Sequence, residues 1–120
     1  MEILLTPMAE HLDLEAHRFL PHPERGKRVF PDGETFVRIP RMDDRKVLVV
    51  HSGQPVPDTG LSFLRTALQI LKDRGKKVSV FFTYFPYSLQ DRDFFSGTTN
   101  VARKLLEELK EFHQVEKIGA

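Results

Sequence analysis

The chain has 120 residues, which is enough for one domain with a single hydrophobic core and not for two independent domains. Its 18 basic and 17 acidic side chains nearly cancel, so the composition implies no general attraction for nucleic acid or a membrane surface. Cysteine is absent, which excludes disulfides, thiol nucleophiles and zinc sites built on sulfur. The apolar runs are too short to span a bilayer, and a cytoplasmic protein is the simplest interpretation.

The first third of the chain predicts a strand, a helix and a hairpin. Residues 2–6 form a short apolar strand candidate that ends at Pro7. Apolar residues then recur at helical spacing over residues 8–20, which predicts a helix that stops at Pro21. Asp32 and Gly33 predict a tight turn between short strands at residues 28–30 and 35–39, because glycine tolerates a positive φ.

The centre of the chain predicts a strand–helix–strand unit. Residues 46–51 and 78–85 are continuous apolar runs, each typical of a strand covered on both faces within a parallel sheet. Between them, Asp58 is a good N-cap for a helix that Gly75 closes. The core face of that helix consists of Leu61, Leu64, Leu68 and Leu71.

The end of the chain predicts one more helix and the start of another strand. Thr98 or Thr99 can cap this helix. Its predicted core face consists of Val101, Ala102, Leu105, Leu109 and Phe112. Residues 115–120 have the composition of a strand.

The polar turn after residues 78–85 is the first candidate for function. In open parallel sheets, ligands collect at the carboxyl ends of the strands, and Gln90, Asp91 and Arg92 stand together at this point. Free N–H groups at the start of the helix that follows favour a phosphate or a nucleotide there. On chemistry alone, a solvated loop without a ligand is the more common outcome for this composition.

Three aromatic side chains precede that turn and have three competing uses. Tyr84, Phe85 and Tyr87 suit a stacking platform for a base, packing in the core, or a contact between subunits. The residues favour none of these uses over the others.

Other catalytic and metal chemistry lacks support in the sequence. Residues 57–60 contain one carboxylate, so capping of a helix explains Asp58 better than a ribose-phosphate loop does. The five histidines show no pair at a metal-ligand spacing with a third partner nearby. His51, at the end of a strand, is interpreted as a structural histidine, and no catalytic residue or metal ligand is assigned.

Three blocks of sequence, taken together and in this order, resemble the amino-terminal half of ribose-phosphate pyrophosphokinase, also called phosphoribosyl pyrophosphate synthetase. The blocks are FPDGE at residues 30–34 with Val37, Arg38 and Ile39 after it, VVHSGQPVPD at residues 49–58, and YFPYSLQDR at residues 84–92 followed by Thr99 and Ala102. The similarity extends over nearly the whole chain. Each block alone is a weak signal, whereas the ordered set is specific.

The resemblance implies a fold and a binding site. The implied fold is a three-layer α/β/α domain with a mainly parallel sheet of the phosphoribosyltransferase type. The family transfers pyrophosphate from magnesium ATP to ribose 5-phosphate, a step of nucleotide biosynthesis. The implied ATP-binding residues are Phe30, Asp32, Gly33 and Glu34, in a loop that meets the adenine of ATP at a neighbouring subunit, and Gln90 and Asp91 in the turn after the aromatic strand.

Two departures from the family pattern bear on the activity. Leu89 stands where the family has an arginine directly before the residue matched by Gln90, which removes a cation from the nucleotide site. The chain also ends at Ala120, before the family's magnesium-binding segment, flexible loop and carboxyl-terminal catalytic domain.

Residues 1–120 are therefore expected to form a single domain that binds ATP or ADP at most, with Mg²⁺ carried by the nucleotide, and that is not catalytically complete alone. The expected assembly is a homo-oligomer, with no nucleic acid or membrane as partner. The alternative is a non-catalytic oligomerisation or regulatory module that associates with itself, with a full-length synthetase or with a separate carboxyl-terminal half.

Overall fold

A computed structural model describes residues 1–87, 97 and 99–120, which contain five strands and two α-helices. The strands are β1 (Glu2–Leu5), β2 (His17–Arg18), β3 (Lys46–Ser52), β4 (Lys77–Tyr84) and β5 (Ile118–Gly119). The helices are α1 (Pro57–Asp73) and α2 (Val101–Glu111), and a 3-10 turn covers Pro7–Ala9. All strands pair in parallel in the order β2-β1-β3-β4-β5. The predicted α/β class and parallel sheet are confirmed.

The predicted strand–helix–strand unit is present as β3, α1 and β4. Parallel neighbours need a crossover connection, and α1 supplies it between two strands that pair from Lys46 with Lys77 to Ser52 with Tyr84. Gly75 closes α1 as predicted: it has a φ of +73°, and its N–H donates to the carbonyl of Lys72. Asp58 lies inside the first turn of α1, and the N-cap position belongs to Val56, so the prediction that Asp58 caps this helix is wrong.

The main hydrophobic core lies on one face of the sheet, under both α-helices. The first face of the sheet carries alternate residues of the central strands, because side chains one residue apart point to opposite faces. This core includes Val47, Val49, Val78, Val80 and Phe82 from the strands, Leu61, Leu64, Leu68 and Leu71 from α1, and Leu105 and Leu109 from α2. It fixes the distance of both helices from β3 and β4.

The second face of the sheet has a smaller and incomplete cover. Leu5 and Val50 are buried there against Ala9, and Leu12 and Ala16 pack around them. This cover reaches β1 and β3, whereas Phe81 on β4 remains 41% exposed. The expectation that residues 78–85 are covered on both faces is therefore wrong for β4. Among the described residues, the layer on this face consists of the 3-10 turn and the loop after it.

The prediction of a helix over residues 8–20 is also wrong. The 3-10 turn ends at Ala9, and the chain returns to the sheet as β2. The apolar residues that suggested one helical face divide between the two faces of the sheet: Leu12 packs on the second face, and Phe19 meets Phe63 of α1 edge to face on the first. Arg18 donates to backbone carbonyls of the intervening loop, which satisfies groups that a helix would have bonded internally.

The two short strands predicted around the hairpin turn are reduced to one antiparallel bridge between Val29 and Thr35. Beyond the bridge, the N–H of Phe36 donates to the carbonyl of Arg28, and the carbonyl of Arg38 accepts from the N–H of Leu20. The prediction of a strand over residues 35–39 is thus wrong, because this segment divides its backbone bonds between two separate partners.

The cap of helix α2 is Asn100, and the prediction that Thr98 or Thr99 caps this helix is wrong. The side-chain oxygen of Asn100 accepts from the N–H of Arg103 at 2.9 Å. Phe112, predicted to lie in the core, is 63% exposed beside the ammonium of Lys72, which is 5.6 Å from the ring centre. The strand predicted at residues 115–120 is confirmed as β5.

Replacing Asn100 with alanine tests the cap assignment. Asn100→Ala should lower the free energy of unfolding by about 1 kcal/mol, because the N–H of Arg103 loses its acceptor. Thr99→Ala is the matched control and should change the free energy by less than about 0.5 kcal/mol, since Thr99 is exposed and precedes the cap. Urea unfolding followed by circular dichroism measures both values. Equal losses in the two variants would contradict the assignment.

Candidate functional site

The turn at residues 30–34 brings Phe30, Asp32, Gly33 and Glu34 together. The N–H of Phe30 donates to the carbonyl of Glu34 at 2.8 Å, and the N–H of Gly33 donates to the carbonyl of Phe30 at 2.9 Å. Gly33 has a φ of +93°, a conformation that a side chain disfavours. The predicted tight turn is confirmed, and its shape is set by hydrogen bonds within the turn itself.

Two exposed carboxylates of this turn interact with each other. The N–H of Glu34 donates to Oδ1 of Asp32 at 3.0 Å, and this backbone hydrogen bond is the main reason that the pKa of Asp32 lies below its usual value. The pKa of Glu34 is raised, mainly by hydrogen bonding to the side chain of Asp32 and to a smaller extent by repulsion from its charge. The turn therefore presents a firmly ionised carboxylate beside one that is more readily protonated.

The aromatic side of the turn is a cluster of three rings. Phe30 and Phe36 meet edge to face with 6.0 Å between ring centres, and His22 contacts both rings. The guanidinium of Arg25 lies 5.4 Å from the centre of the Phe30 ring. Nδ1 of His22 accepts from the N–H groups of Glu24 and Arg25, so the ring of a neutral His22 carries its proton on Nε2.

Polar contacts anchor this hairpin to the rest of the fold. Arg28 makes a two-pronged ion pair with Glu10, with N–O distances of 2.8 and 3.0 Å, and also donates to the carbonyl of Phe19 at 2.7 Å. On the other side, the hydroxyls of Thr35 and Ser62 lie 2.7 Å apart, which links the hairpin to α1. A cleft of about 450 Å³ beside the turn is lined by Arg25, Lys27, Val29 and Pro31.

The carboxyl ends of β1 and β3 form a second, buried polar cluster. His51 is fully buried, and its Nδ1 lies 2.7 Å from the hydroxyl oxygen of Thr6. Its Nε2 has no hydrogen-bond partner among the described residues, so only one of the two ring nitrogens of His51 is satisfied. Burial lowers the pKa of His51 to about 4. At neutral pH its imidazole is therefore uncharged.

The loops after β3 and β4 approach each other closely at the same edge of the sheet. The N–H of Gly53 donates to the carbonyl of Tyr84 at 2.7 Å, and a methyl group added to Gly53 would lie 2.6 Å from the backbone of Pro86. Of the three aromatic residues here, Phe85 and Tyr87 pack against the main core, and Tyr84 is 41% exposed. Packing in the core is therefore the observed use of two of them.

Gln90 and Asp91, the remaining predicted ATP contacts, lie outside the described residues, as do Leu89 and Arg92. Within the part that the structure describes, no group of three or more histidine or acidic side chains is placed to hold a metal ion. These residues therefore do not fit a magnesium ion bound by the protein alone.

No helix in the described part of the chain is long and apolar enough to cross a membrane.

Sequence reasoning missed the contacts that hold the hairpin and the buried cluster. Arg28 and Glu10 are 18 residues apart, and Thr6 and His51 are 45 residues apart. The available signal was the position of Thr6 and His51 at the carboxyl ends of two predicted strands. For Arg28 and Glu10, the predicted helix over residues 8–20 placed Glu10 towards water and concealed the pair.

The chain is similar in sequence to one group of curated proteins. No protein-family model matches the chain. Six curated proteins named ribose-phosphate pyrophosphokinase match it at 34–39% identity. The identity is 39% over 85 residues with the protein of Sulfolobus acidocaldarius, an alignment that covers 69% of this chain and 29% of that protein. With the protein of Methanobrevibacter smithii it is 34% over 103 residues, covering 85% of this chain and 34% of that protein.

The fold defines an α/β domain built on a parallel sheet, with a preformed acidic turn beside it. The chain is a relative of the ribose-phosphate pyrophosphokinases, and its fold is compatible with the amino-terminal domain of such a synthetase. It spans about a third of the length of the curated relatives that it matches.

The buried imidazole predicts a dependence of stability on pH. The unfolded chain takes up a proton on His51 near pH 6.5, whereas the folded chain does so only near pH 4. The free energy of unfolding is therefore unaffected by this residue above about pH 6.5. As the pH falls from 6.5 towards 4, protonation of His51 in the unfolded chain lowers it by about 3 kcal/mol. Urea unfolding at several pH values between 7.5 and 4 measures the loss.

His51→Gln is the control for this effect, because glutamine offers Thr6 a hydrogen-bond partner and does not titrate. Its free energy of unfolding should fall less steeply over the same range, so that the difference between the two proteins narrows at low pH. Parallel pH profiles for the wild type and the variant would contradict the role of His51.

Proposed function

We propose that this chain is a nucleotide-binding domain that binds ATP or ADP with Mg²⁺ carried by the nucleotide. The observation that carries the proposal is the turn at residues 30–34, whose own hydrogen bonds close it without a ligand. A site that is already ordered loses little conformational entropy on binding. The similarity to proteins named for a pyrophosphate-transferring kinase supports a nucleotide as the ligand.

Different residues in and beside the turn suit different parts of a nucleotide. Asp32 is an acceptor for the amino group of a base or for ribose hydroxyls, since an ionised carboxylate can only accept hydrogen bonds. Phe30 offers an aromatic surface for the base. The phosphates need cations, and Arg25 and Lys27 line the cleft beside the turn. We include Gly33, Glu34, Gln90 and Asp91 in the proposed site because of the resemblance to the synthetases.

The carboxylate of Asp32 provides the test of nucleotide binding. Asp32→Asn keeps a side-chain oxygen for the N–H of Glu34 and removes the charge, so the turn should survive while the affinity for ATP and ADP falls by about tenfold or more. Isothermal titration calorimetry in the presence of Mg²⁺ measures the dissociation constants. The control is Asp43→Asn, because Asp43 is an exposed carboxylate that pairs with Arg41.

Two results would overturn the proposal. One is the absence of heat when ATP and ADP are titrated into the wild-type chain. The other is a dissociation constant for Asp32→Asn equal to that of the wild type, with circular dichroism showing that both proteins are folded.

We further propose that transfer of pyrophosphate to ribose 5-phosphate needs regions of the relatives that this chain does not match. The alignments cover 25–34% of the length of the six curated relatives. In that case the chain acts in a cytoplasmic homo-oligomer or together with a synthetase or a separate carboxyl-terminal half.

The purified chain should therefore release no AMP from magnesium ATP and ribose 5-phosphate above the background without enzyme. A coupled assay for AMP measures this, with a complete ribose-phosphate pyrophosphokinase as the positive control. Turnover that depends on ribose 5-phosphate and on chain concentration would show that the chain is catalytically complete.

A further inference from the structure

The second face of the sheet has an open groove over β4. The groove has a volume of about 510 Å³, and its floor includes the apolar side chains of Leu48 and Phe81. Phe81 is 41% exposed although it lies in a strand with neighbours on both sides. Parallel sheets are covered on both faces in almost all proteins, and helices provide that cover. Among residues 1–87, 97 and 99–120, no helix covers this apolar part of the sheet.

The charges around the groove are one-sided. Lys46 on β3 and Lys117, which directly precedes β5, line the groove on either side of β4. Neither lysine has an acidic side chain within ion-pair distance in the part of the chain that the structure describes. The two acidic residues nearby are already paired: Glu116 with Lys77 at 3.8 Å, and Asp44 with the terminal amino group at 2.9 Å.

We propose that this groove is a docking site for an amphipathic helix of a partner protein, with an apolar stripe and acidic residues along its flanks. The stripe covers Leu48 and Phe81, and the acidic flanks meet Lys46 and Lys117. The strand length from Lys46 to Val50 is about 13 Å, which a helix of about nine residues spans. A helix on this face completes the layer that the 3-10 turn and its following loop leave unfinished.

A second copy of the chain is a poorer occupant of the groove. A symmetric contact between two such faces would place the lysines of one copy near those of the other, and like charges at an interface disfavour association. The acidic helix satisfies both lysines with opposite charge. The groove is separate from the turn at residues 30–34, so this proposal does not depend on nucleotide binding.

Three labelled peptides of 16 residues test the charge and the apolar requirement. One has a leucine stripe with glutamates on both flanks, the second has lysines in place of the glutamates, and the third is a scrambled form of the first. Fluorescence anisotropy should show that the wild-type chain binds the acidic peptide at least about tenfold more tightly than the other two. Equal binding of the acidic and scrambled peptides would overturn the proposal.

Variants of the chain locate the binding. Phe81→Ser should weaken binding of the acidic peptide at least about tenfold, because it removes the exposed apolar centre of the groove. Leu106→Ser is the matched control, since Leu106 is a similarly exposed apolar residue, at 36%, on α2. If Phe81→Ser does not fold, Ser79→Arg blocks the same groove and should have the same effect. Unchanged binding in a folded groove variant would overturn the proposal.

A charge exchange and an assembly measurement complete the test. Lys46→Glu combined with Lys117→Glu should reverse the preference, so that the lysine-flanked peptide binds more tightly than the acidic one. Retention of the original preference would overturn the proposal. Light scattering decides the competing occupant: a wild-type dimer that becomes a monomer in Phe81→Ser would assign the groove to a second copy and overturn the proposal.

Discussion

The structure depends on β3, the strand in the middle of the sheet. It pairs with β1 on one side and with β4 on the other, and, like β1, it carries buried apolar side chains into both clusters. Val49 faces the main core, and Val50 faces the smaller one. His51 lies in the same strand, and its ring is hydrogen-bonded to Thr6 at the end of β1. The packing of β3 therefore also sets the position of these polar groups at the carboxyl edge of the sheet.

The proposed nucleotide site is held by a different kind of interaction. The hairpin at residues 22–36 has few ties to the main core, and an ion pair and a hydroxyl contact attach it at its two sides. Within the hairpin, three aromatic rings and a closed turn provide the local order. The fold therefore separates stability, which comes from the sheet and α1, from recognition, which is proposed for a polar extension.

The sequence predicted the elements whose local patterns agree with their places in the fold. The runs at residues 46–51 and 78–85, the helix between them and the left-handed Gly75 follow from local rules that the tertiary structure does not oppose. The prediction of a helix at residues 8–20 failed because the apolar residues of this segment pack on opposite faces of the sheet. The turn residues of the candidate site were available from the sequence, whereas the Arg28–Glu10 pair depends on a loop path that no local pattern specifies.

One backbone hydrogen bond closes the segment that carries the proposed nucleotide site. The N–H of Leu20 donates to the carbonyl of Arg38 at 2.8 Å, so the two ends of the hairpin segment lie side by side. Such a closed excursion can lengthen or shorten at low energetic cost, since doubling a flexible loop costs only about 0.6 kcal/mol. A change of length at the turn, between the anchoring residues Arg28 and Thr35, would leave those anchoring contacts in place. Such a change would therefore alter the proposed nucleotide site without altering the sheet.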